Sequence, residues 1–292
     1  MRKPKKEIQF TSYDELISGT SEEDSSTQIV DVALSDLFAF QAHPFYVLDD
    51  TKMEELVDSI KMHGVLMPGI VRPRPEGGYE IIAGHRRKRA CELAGLTTMP
   101  VFVKEYTDDE ATIIVVDSNI QREGLLPSEK ARAYRMKYEA MKHQGSKEGG
   151  LTLDIIGEIS GESGKTVQRY IWLSRLSDEL LTMIDKKKMP LMTGIELSFL
   201  PQQQQGYIQE IFKEDSGRSI TRTQAQKLRE RSQAGELDIE GIKKILSRDQ
   251  WGKRKIVIEH SRLSEYFEDS IPNEEIEKII FQLLDDWKKH LS

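Results

Sequence analysis

The sequence predicts an α/β domain followed by an all-α helix-turn-helix domain and a small, mostly helical C-terminal region. Three observations carry this reading. Between Ile29 and Met141, short β-branched runs alternate with amphipathic helical stretches, the pattern of a sheet layered with helices. Beyond a break at 145–150, which holds glycines and charges but no apolar residue, the strand pattern stops and helical spacing takes over. Near the end Ile276, Ile279, Ile280, Leu283, Leu284 and Trp287 recur at helical spacing and form an apolar stripe that wants a partner. The expected divisions are a flexible arm at 1–28, the α/β domain at 29–144, the helix-turn-helix domain at 150–234 and the C-terminal region at 235–292.

The arm joins a basic tip, Arg2, Lys3, Lys5 and Lys6, to a polar stretch at 20–27 with little to bury. Residues 29–34 read as a strand. A helix is expected over 51–63, with Met53, Leu56, Val57 and Ile60 on one face, Thr51 and Glu54 at capping-box spacing, and Gly64 as the stop. Strands at 69–74 and 79–83 flank the Glu76-Gly77-Gly78 turn as a hairpin, and a helix then runs to Gly95. A further strand is expected over 99–105. Thr107 and Glu110 repeat the capping-box spacing before a helix that ends near Ser118-Asn119, and Pro127 opens the next helix, where proline is tolerated in a first turn. After the break come helices over 152–160 and 163–176, a stop at Lys186-Lys187-Lys188-Met189-Pro190, and further helices to about Ala234. A strand-like run at 255–259 precedes the closing helix.

Composition narrows the function classes. A length of 292 residues points to two or three domains, and 38% hydrophobic with 31% charged residues describes modules with a large solvated surface. A membrane protein is excluded, because the longest aliphatic stretch, 113–116, is far too short to cross a bilayer. The basic start has no apolar segment behind it, so a cytoplasmic protein is expected. One cysteine, Cys91, rules out an internal disulfide framework and a cysteine-based zinc site. A net charge of -7 argues against a generally basic nucleic-acid coat, so local clusters must carry any anion binding.

Three segments could carry chemistry. In Gly84-His85-Arg86-Arg87-Lys88-Arg89-Ala90, a strand ends and a helix begins, so free backbone N–H groups and guanidinium forks could seat phosphate oxygens, with Gly84 allowing close approach. A solvated basic helix face is the alternative. In Ser118-Asn119-Ile120-Gln121-Arg122-Glu123, Asn119 could offer an oxygen to a phosphate-bound metal and Arg122 could neutralise charge; the alternative is a polar turn between two helices. The third is the helix-turn-helix pattern. Ile155, Ile156 and Ile159 face inward from its first helix, 161–164 make the turn, and Val167, Tyr170, Ile171 and Leu173 are the buried side of its second. That leaves Ser163, Lys165, Thr166, Gln168 and Arg169 at the front, where a recognition helix meets base edges and phosphates; an ordinary helical hairpin is the alternative.

Other chemistries find less support. Gly161-Glu162-Ser163-Gly164-Lys165-Thr166 ends like a P-loop, but Ile159 stands where that motif needs glycine and the upstream pattern is helical. His43, His63, His143, His260 and His290 are scattered without metal-ligand spacing, and Cys91 reads as a small buried residue.

Taken in order, the chain resembles the ParB family of DNA-partition proteins. The resemblance rests on His63-Gly64-Val65-Leu66-Met67-Pro68-Gly69-Ile70-Val71-Arg72-Pro73, Ile82-Ala83 with the basic heptad, Asn119-Ile120-Gln121-Arg122, and Leu126-Pro127-Ser128-Glu129-Lys130-Ala131. With the helix-turn-helix after them, these pieces cover roughly residues 29–200. The resemblance implies an α/β N-terminal ParB-like domain that binds CTP with Mg2+, a helical domain that recognises a double-stranded DNA partition site, and a C-terminal dimerisation region. It implies a CTP-switched DNA clamp, a homodimer in the cytoplasm on nucleoid or plasmid, acting in plasmid, mobile-element or chromosome segregation with a ParA-type ATPase as partner. By the same resemblance Gly64, Val65, Leu66 and Pro68 border base and sugar, Gly84, His85, Arg86 and Arg87 hold phosphates, and Asn119 and Arg122 serve metal and phosphate. His85 and Ser118 stand where the family's motifs commonly carry glutamate, so any CTP hydrolysis is expected to be weak, and Met67 stands where a glutamine is common, which leaves base selectivity open.

Three other readings bear on the same residues. A ParB-like transcriptional or nucleoid regulator would use the same fold without a partition role. A sulfiredoxin-like enzyme needs a cysteine in the phosphate motif, where this chain has His85-Arg86, and a nuclease needs a clustered acidic pair that the sequence does not show.

Overall fold

The computed structural model describes residues 28–41, 43–145, 149–214, 219–247, 263, 266–268 and 271–290. By its contacts the chain divides into two units, Met1–Leu246 and Ser247–Ser292.

The first unit opens with a five-stranded sheet: β1 (Ile29–Ala33), β2 (Leu37–Phe38), β3 (Gly69–Pro73), β4 (Tyr79–Ala83) and β5 (Thr98–Val103), in the order β1-β5-β3-β4-β2. β1 pairs antiparallel with β5 and β3 with β4, while β3 with β5 and β2 with β4 run parallel. Strand alternation divides the side chains between two cores. Val71, Ile81 and Val101 point to one face, where they meet Met53, Val57 and Ile60 of α1 (Thr51–His63) and Ala90 and Cys91 of α2 (His85–Ala94). Ile70, Ile82 and Phe102 point to the other, where they join Ala111, Ile114 and Val115 of α3 (Asp108–Ile120) and Ala133 and Tyr134 of α4 (Pro127–His143). Cys91 is fully buried, as its size and position suggested, and burial raises its thiol pKa.

Several expected boundaries move. The strand expected over 29–34 stops at Ala33; Leu34–Asp36 make a 3-10 turn around the exposed Ser35-Asp36, and Leu37–Phe38 re-enter the sheet as β2. The expected 99–105 strand is β5, one residue earlier at its start and ending at Val103. Asp50, not Thr51, caps α1: its Oδ1 accepts from Met53 N at 2.9 Å, so the Thr51/Glu54 box does not form. A carboxylate one residue upstream is the better acceptor at the positive end of the helix dipole. Gly64 closes this helix as expected, with φ 71. Thr107 and Glu110 form the expected capping box. α3 then runs through Asn119 to Ile120, so Asn119 lies in a last helical turn rather than in a connecting loop.

The helix-turn-helix comprises α5 (Gly149–Ser160) and α6 (Gly164–Leu173). Two glycines let it close. A Cβ on Gly157 would lie 2.2 Å from the Glu162 carbonyl oxygen, and one on Gly164 would meet Asp154 Oδ1 at 2.2 Å. With α5 upstream of 161–166, the P-loop is excluded here too. α7 (Asp178–Asp185), α8 (Leu191–Leu197), α9 (Gln202–Glu214), α10 (Arg222–Gln233) and α11 (Ile239–Ser247) follow. Their core includes Leu237, Ile242 and Leu246, which is why the contact boundary lies after Leu246 and not at 234/235.

In the second unit the closing helix is α12 (Asn273–His290), with Ile276 buried and Leu283 and Trp287 exposed. The 255–259 strand and nearly all of the arm lie outside the described residues. Among the described residues no helix is long and apolar enough to cross a membrane.

Candidate functional site

The site begins where β4 stops. Gly84 turns the chain straight into α2 at φ 120, a conformation open to glycine, and a Cβ there would lie 3.3 Å from Gly69 Cα and 3.4 Å from an Arg87 nitrogen. The start of α2 is thereby held against β3, with its free N–H groups at the edge of a cavity of about 250 Å³.

Three walls enclose the cavity. The first is Ala83, Gly84, His85, Arg86 and Arg87; the second is Ser118 and Asn119 at the end of α3 with Arg122 after it. The expected phosphate and metal residues Gly84, His85, Arg86, Arg87, Asn119 and Arg122 are thus brought together. The third wall, His43, Phe45, Tyr46 and Val47, was not foreseen from the sequence. Long-range hydrogen bonds hold it in place. Phe40 N donates to His85 Nε2 at 3.3 Å, Gln41 N to Glu80 Oε1 at 2.9 Å, and Tyr46 N to Glu129 Oε1 at 2.7 Å. Glu80 and Glu129 are both buried carboxylates, and their presence in a strand and a helix that otherwise pack inward is the sequence signal that could have pointed to this loop.

The expected base-binding loop behaves differently. None of Gly64, Val65, Leu66 and Pro68 lines the cavity. Val65 packs on the core under α1, Leu66 is 75% exposed, and the Pro68 carbonyl accepts from Arg87 Nη1 at 2.5 Å. Arg87 Nη1 also donates to the Met67 carbonyl at 2.6 Å, so one guanidinium ties this loop to the cavity wall.

The electrostatics favour an anion. Arg86, Arg87 and Arg122 face the cavity, and among the described residues its lining contains no carboxylate. Arg86 is also ion-paired to Asp50 at 3.1 Å, and that hydrogen bond lowers the Asp50 pKa. His85 is held neutral: burial first, then His43 and Lys88, push its pKa down to about 3. Because its Nε2 accepts from Phe40 N, its proton belongs on Nδ1, and a neutral imidazole can donate to phosphate. Guanidinium forks, a glycine turn and a helix start fit a polyphosphate. A hard cation fits less fully. The lining offers it the neutral oxygens of Asn119 and Ser118, and the Asn119 amide nitrogen donates to Val115 O at 2.9 Å, so the protein's contribution would be Asn119 Oδ1 beside the phosphates' own oxygens.

The second candidate surface is the front of α6. Ser163 caps it, its Oγ accepting from Thr166 N at 3.2 Å. Val167, Ile171 and Leu173 are buried, Thr166 and Gln168 half-buried, and Lys165 and Arg169 exposed with no ion pair among the described residues. α4 links this element to the cavity: Lys130 pairs with Glu162 at 2.6 Å, the Tyr134 hydroxyl donates to Ser160 at 2.8 Å, and Glu129 on the same helix holds Tyr46.

Residues 19–120 match the family model described as ParB N-terminal domain. This segment is a ParB N-terminal domain. A nucleoid occlusion protein of Halalkalibacterium halodurans is 36% identical over 146 residues, 50% of this chain and 48% of the relative. A probable chromosome-partitioning protein ParB of Neisseria meningitidis serogroup A is 31% identical over 188 residues, 64% of this chain and 63% of the relative. The chain therefore spans about half to under two thirds of the length of these curated relatives. A crystal structure of C-terminally truncated ParB from Caulobacter crescentus, complexed to the centromeric parS site, is 22% identical; it covers 69% of this chain and 99% of that chain, with a TM-score of 0.40. In ParB terms, β4, Gly84 and α2 lie inside the matched domain, while Arg122 and the helix-turn-helix lie beyond it.

Proposed function

We propose that this chain is a sequence-specific DNA-binding partition protein of the ParB type, a dimeric, CTP-switched clamp that acts in segregation of a chromosome, plasmid or mobile element. The observation that carries the reading is the convergence of Gly84 to Arg87, Asn119 and Arg122 on one cavity. There the start of α2 and the three guanidinium groups bind the triphosphate and His85 donates through Nδ1; Asn119 would help hold a Mg2+ ion, which would neutralise phosphate charge. Ser163, Lys165, Thr166, Gln168 and Arg169 read the DNA site from the front of α6. The exposed Leu283 and Trp287 of α12 support a homodimer seam in the second unit. A ParA-type ATPase is the partner a partition role requires, and the protein works on the nucleoid or plasmid.

Turnover of CTP is slow in this reading. Attack on the γ-phosphate needs a group that orients water or takes its proton; among the described residues the lining offers no carboxylate for that task, and the lone pair on His85 Nε2 is already engaged by Phe40 N.

The test is binding of labelled CTP and ATP with Mg2+, with and without DNA fragments from the chain's own replicon. CTP-selective binding that one fragment enhances is the expected result. Absence of nucleotide binding would overturn the switch, and absence of preference among fragments would overturn sequence-specific recognition.

A second reading is favoured by one observation, the similarity to a nucleoid occlusion protein. In it the same fold serves as a transcriptional or nucleoid regulator without a partition role. Deleting the gene separates the two: partition predicts loss of the replicon during growth without selection, and regulation predicts stable inheritance.

A further inference from the structure

The third wall of the cavity contains a histidine that the phosphate-binding groups do not account for. His43 Nδ1 lies 2.7 Å from the Phe45 carbonyl, so it carries a proton and donates. Nε2 is then a bare lone pair, enclosed by protein and without a hydrogen-bond partner among the described residues. Buried polar atoms are nearly always satisfied, so an orphan of this kind, closed off within a residue that lines the cavity, calls for explanation, and a proton is what can reach it. The neighbouring imidazole cannot relieve it. The His85 ring lies 3.9 Å away, centroid to centroid, at 43°, and its own Nε2 is engaged by Phe40 N.

Charged groups surround the cavity that His43 lines. Arg86 and Arg87 of α2 and Arg122 after α3 share its lining, while Lys88 of α2 acts on the neighbouring His85. The sheet presents Glu80, which is paired with Arg72. α4 presents Glu129, whose two oxygens accept from Tyr46 N and Leu126 N and whose charge favours imidazolium at His43. Burial outweighs the Phe45 hydrogen bond and Glu129 and holds the His43 pKa below its ordinary value. A polyphosphate among the three guanidinium groups adds several negative charges at the same edge and reverses the balance.

We propose that His43 is a further anion-binding residue of this cavity, neutral while the cavity is empty and protonated on Nε2, by one proton from solvent, when a polyphosphate enters. This rests on the reading of the cavity as a nucleoside triphosphate site and adds to it a proton-linked affinity. A base with a low pKa in the free protein and a higher one in the complex takes up a proton on binding, so affinity rises as pH falls, by up to about tenfold per pH unit between the two values. The ligand's own titration has the opposite sign. Arginines depress the last phosphate pKa, which lies at about 6, and cause release of a proton rather than uptake.

Calorimetry of the full chain with CTP and with inorganic tripolyphosphate, at two pH values and in two buffers of different ionisation heat, counts the protons. Net uptake approaching one proton, with weaker binding at the higher pH, is expected. His43→Gln should abolish both, and His143→Gln, an exposed histidine at the end of α4, should keep both. Imidazole carbon shifts of the unaltered protein, with and without tripolyphosphate, report the same protonation should His43→Gln fail to fold. Binding with no uptake, or uptake that survives His43→Gln, overturns the proposal and leaves the nucleotide site standing. Failure of both ligands to bind overturns the nucleotide site and the proposal with it.

Discussion

Asp117 and Lys137 form an ion pair of 2.5 Å between α3 and α4, with side chains only 9% and 3% exposed. Burial is the largest influence on both groups: it raises the Asp117 pKa and lowers that of Lys137 against their mutual attraction. Each charge is therefore tolerated because the other is there, and the pair gains little over a well-packed apolar substitute. Lys137→Met alone leaves a carboxylate with no cation in a dry interface, at an expected cost of about 3–5 kcal/mol. Lys137→Met with Asp117→Leu removes both charges and should recover most of that loss. The assay is the urea midpoint at constant m, or a fall in Tm of roughly 6–20 °C for the single variant. pH supplies a second check. In the single variant Asp117 has a folded pKa well above its unfolded value, so the stability linked to its proton is present at low pH and lost as pH rises through the folded value. The single variant should accordingly lie closer to the parent near about pH 5 than near about pH 8. A single variant that loses less than about 1 kcal/mol, or a double variant no more stable than the single, refutes the argument.

Three further outcomes are expected. Gly157→Ala places a methyl 2.2 Å from the Glu162 carbonyl, a backbone atom that cannot turn aside; it should destabilise by about 1–3 kcal/mol in thermal unfolding and weaken DNA binding more than CTP binding. Lys165→Ala with Arg169→Ala should remove the footprint on the specific site while CTP binding persists, and an unchanged footprint would remove α6 as the recognition helix. Leu283→Asp with Trp287→Asp should give a monomer by light scattering; a surviving dimer places the seam away from α12.

The elements that could be read from the sequence are those whose signals are local. Thr107 and Glu110 cap α3 three residues apart, Gly84 and Gly95 bracket α2, and Pro127 begins α4, because capping and φ preference act within one turn. β2 could not be read this way. Two residues carry no periodicity, and Leu37–Phe38 is a strand only because Tyr79 and Glu80 lie beside it. The Asp50 cap shows the same limit at shorter range: Thr51 and Asp50 are both good caps by type, and the chain path into α1 decides between them.

The cavity divides along the same line. Two of its walls were legible because each is a short run of charged or polar residues at an element end, Gly84 to Arg87 and Ser118 to Arg122. The third wall is a loop of unremarkable composition whose position is set by Glu80 on β4, His85 on α2 and Glu129 on α4, residues far apart in sequence. Each of those acceptors takes a backbone N–H, which any residue but proline supplies, so the loop's own sequence need carry no trace of the contact. The trace is on the acceptors. A glutamate inside a strand and another in the first turn of a helix, both buried, need distant donors, and His43 lines the same cavity as the arginines because those donors are the N–H groups of the loop that bears it.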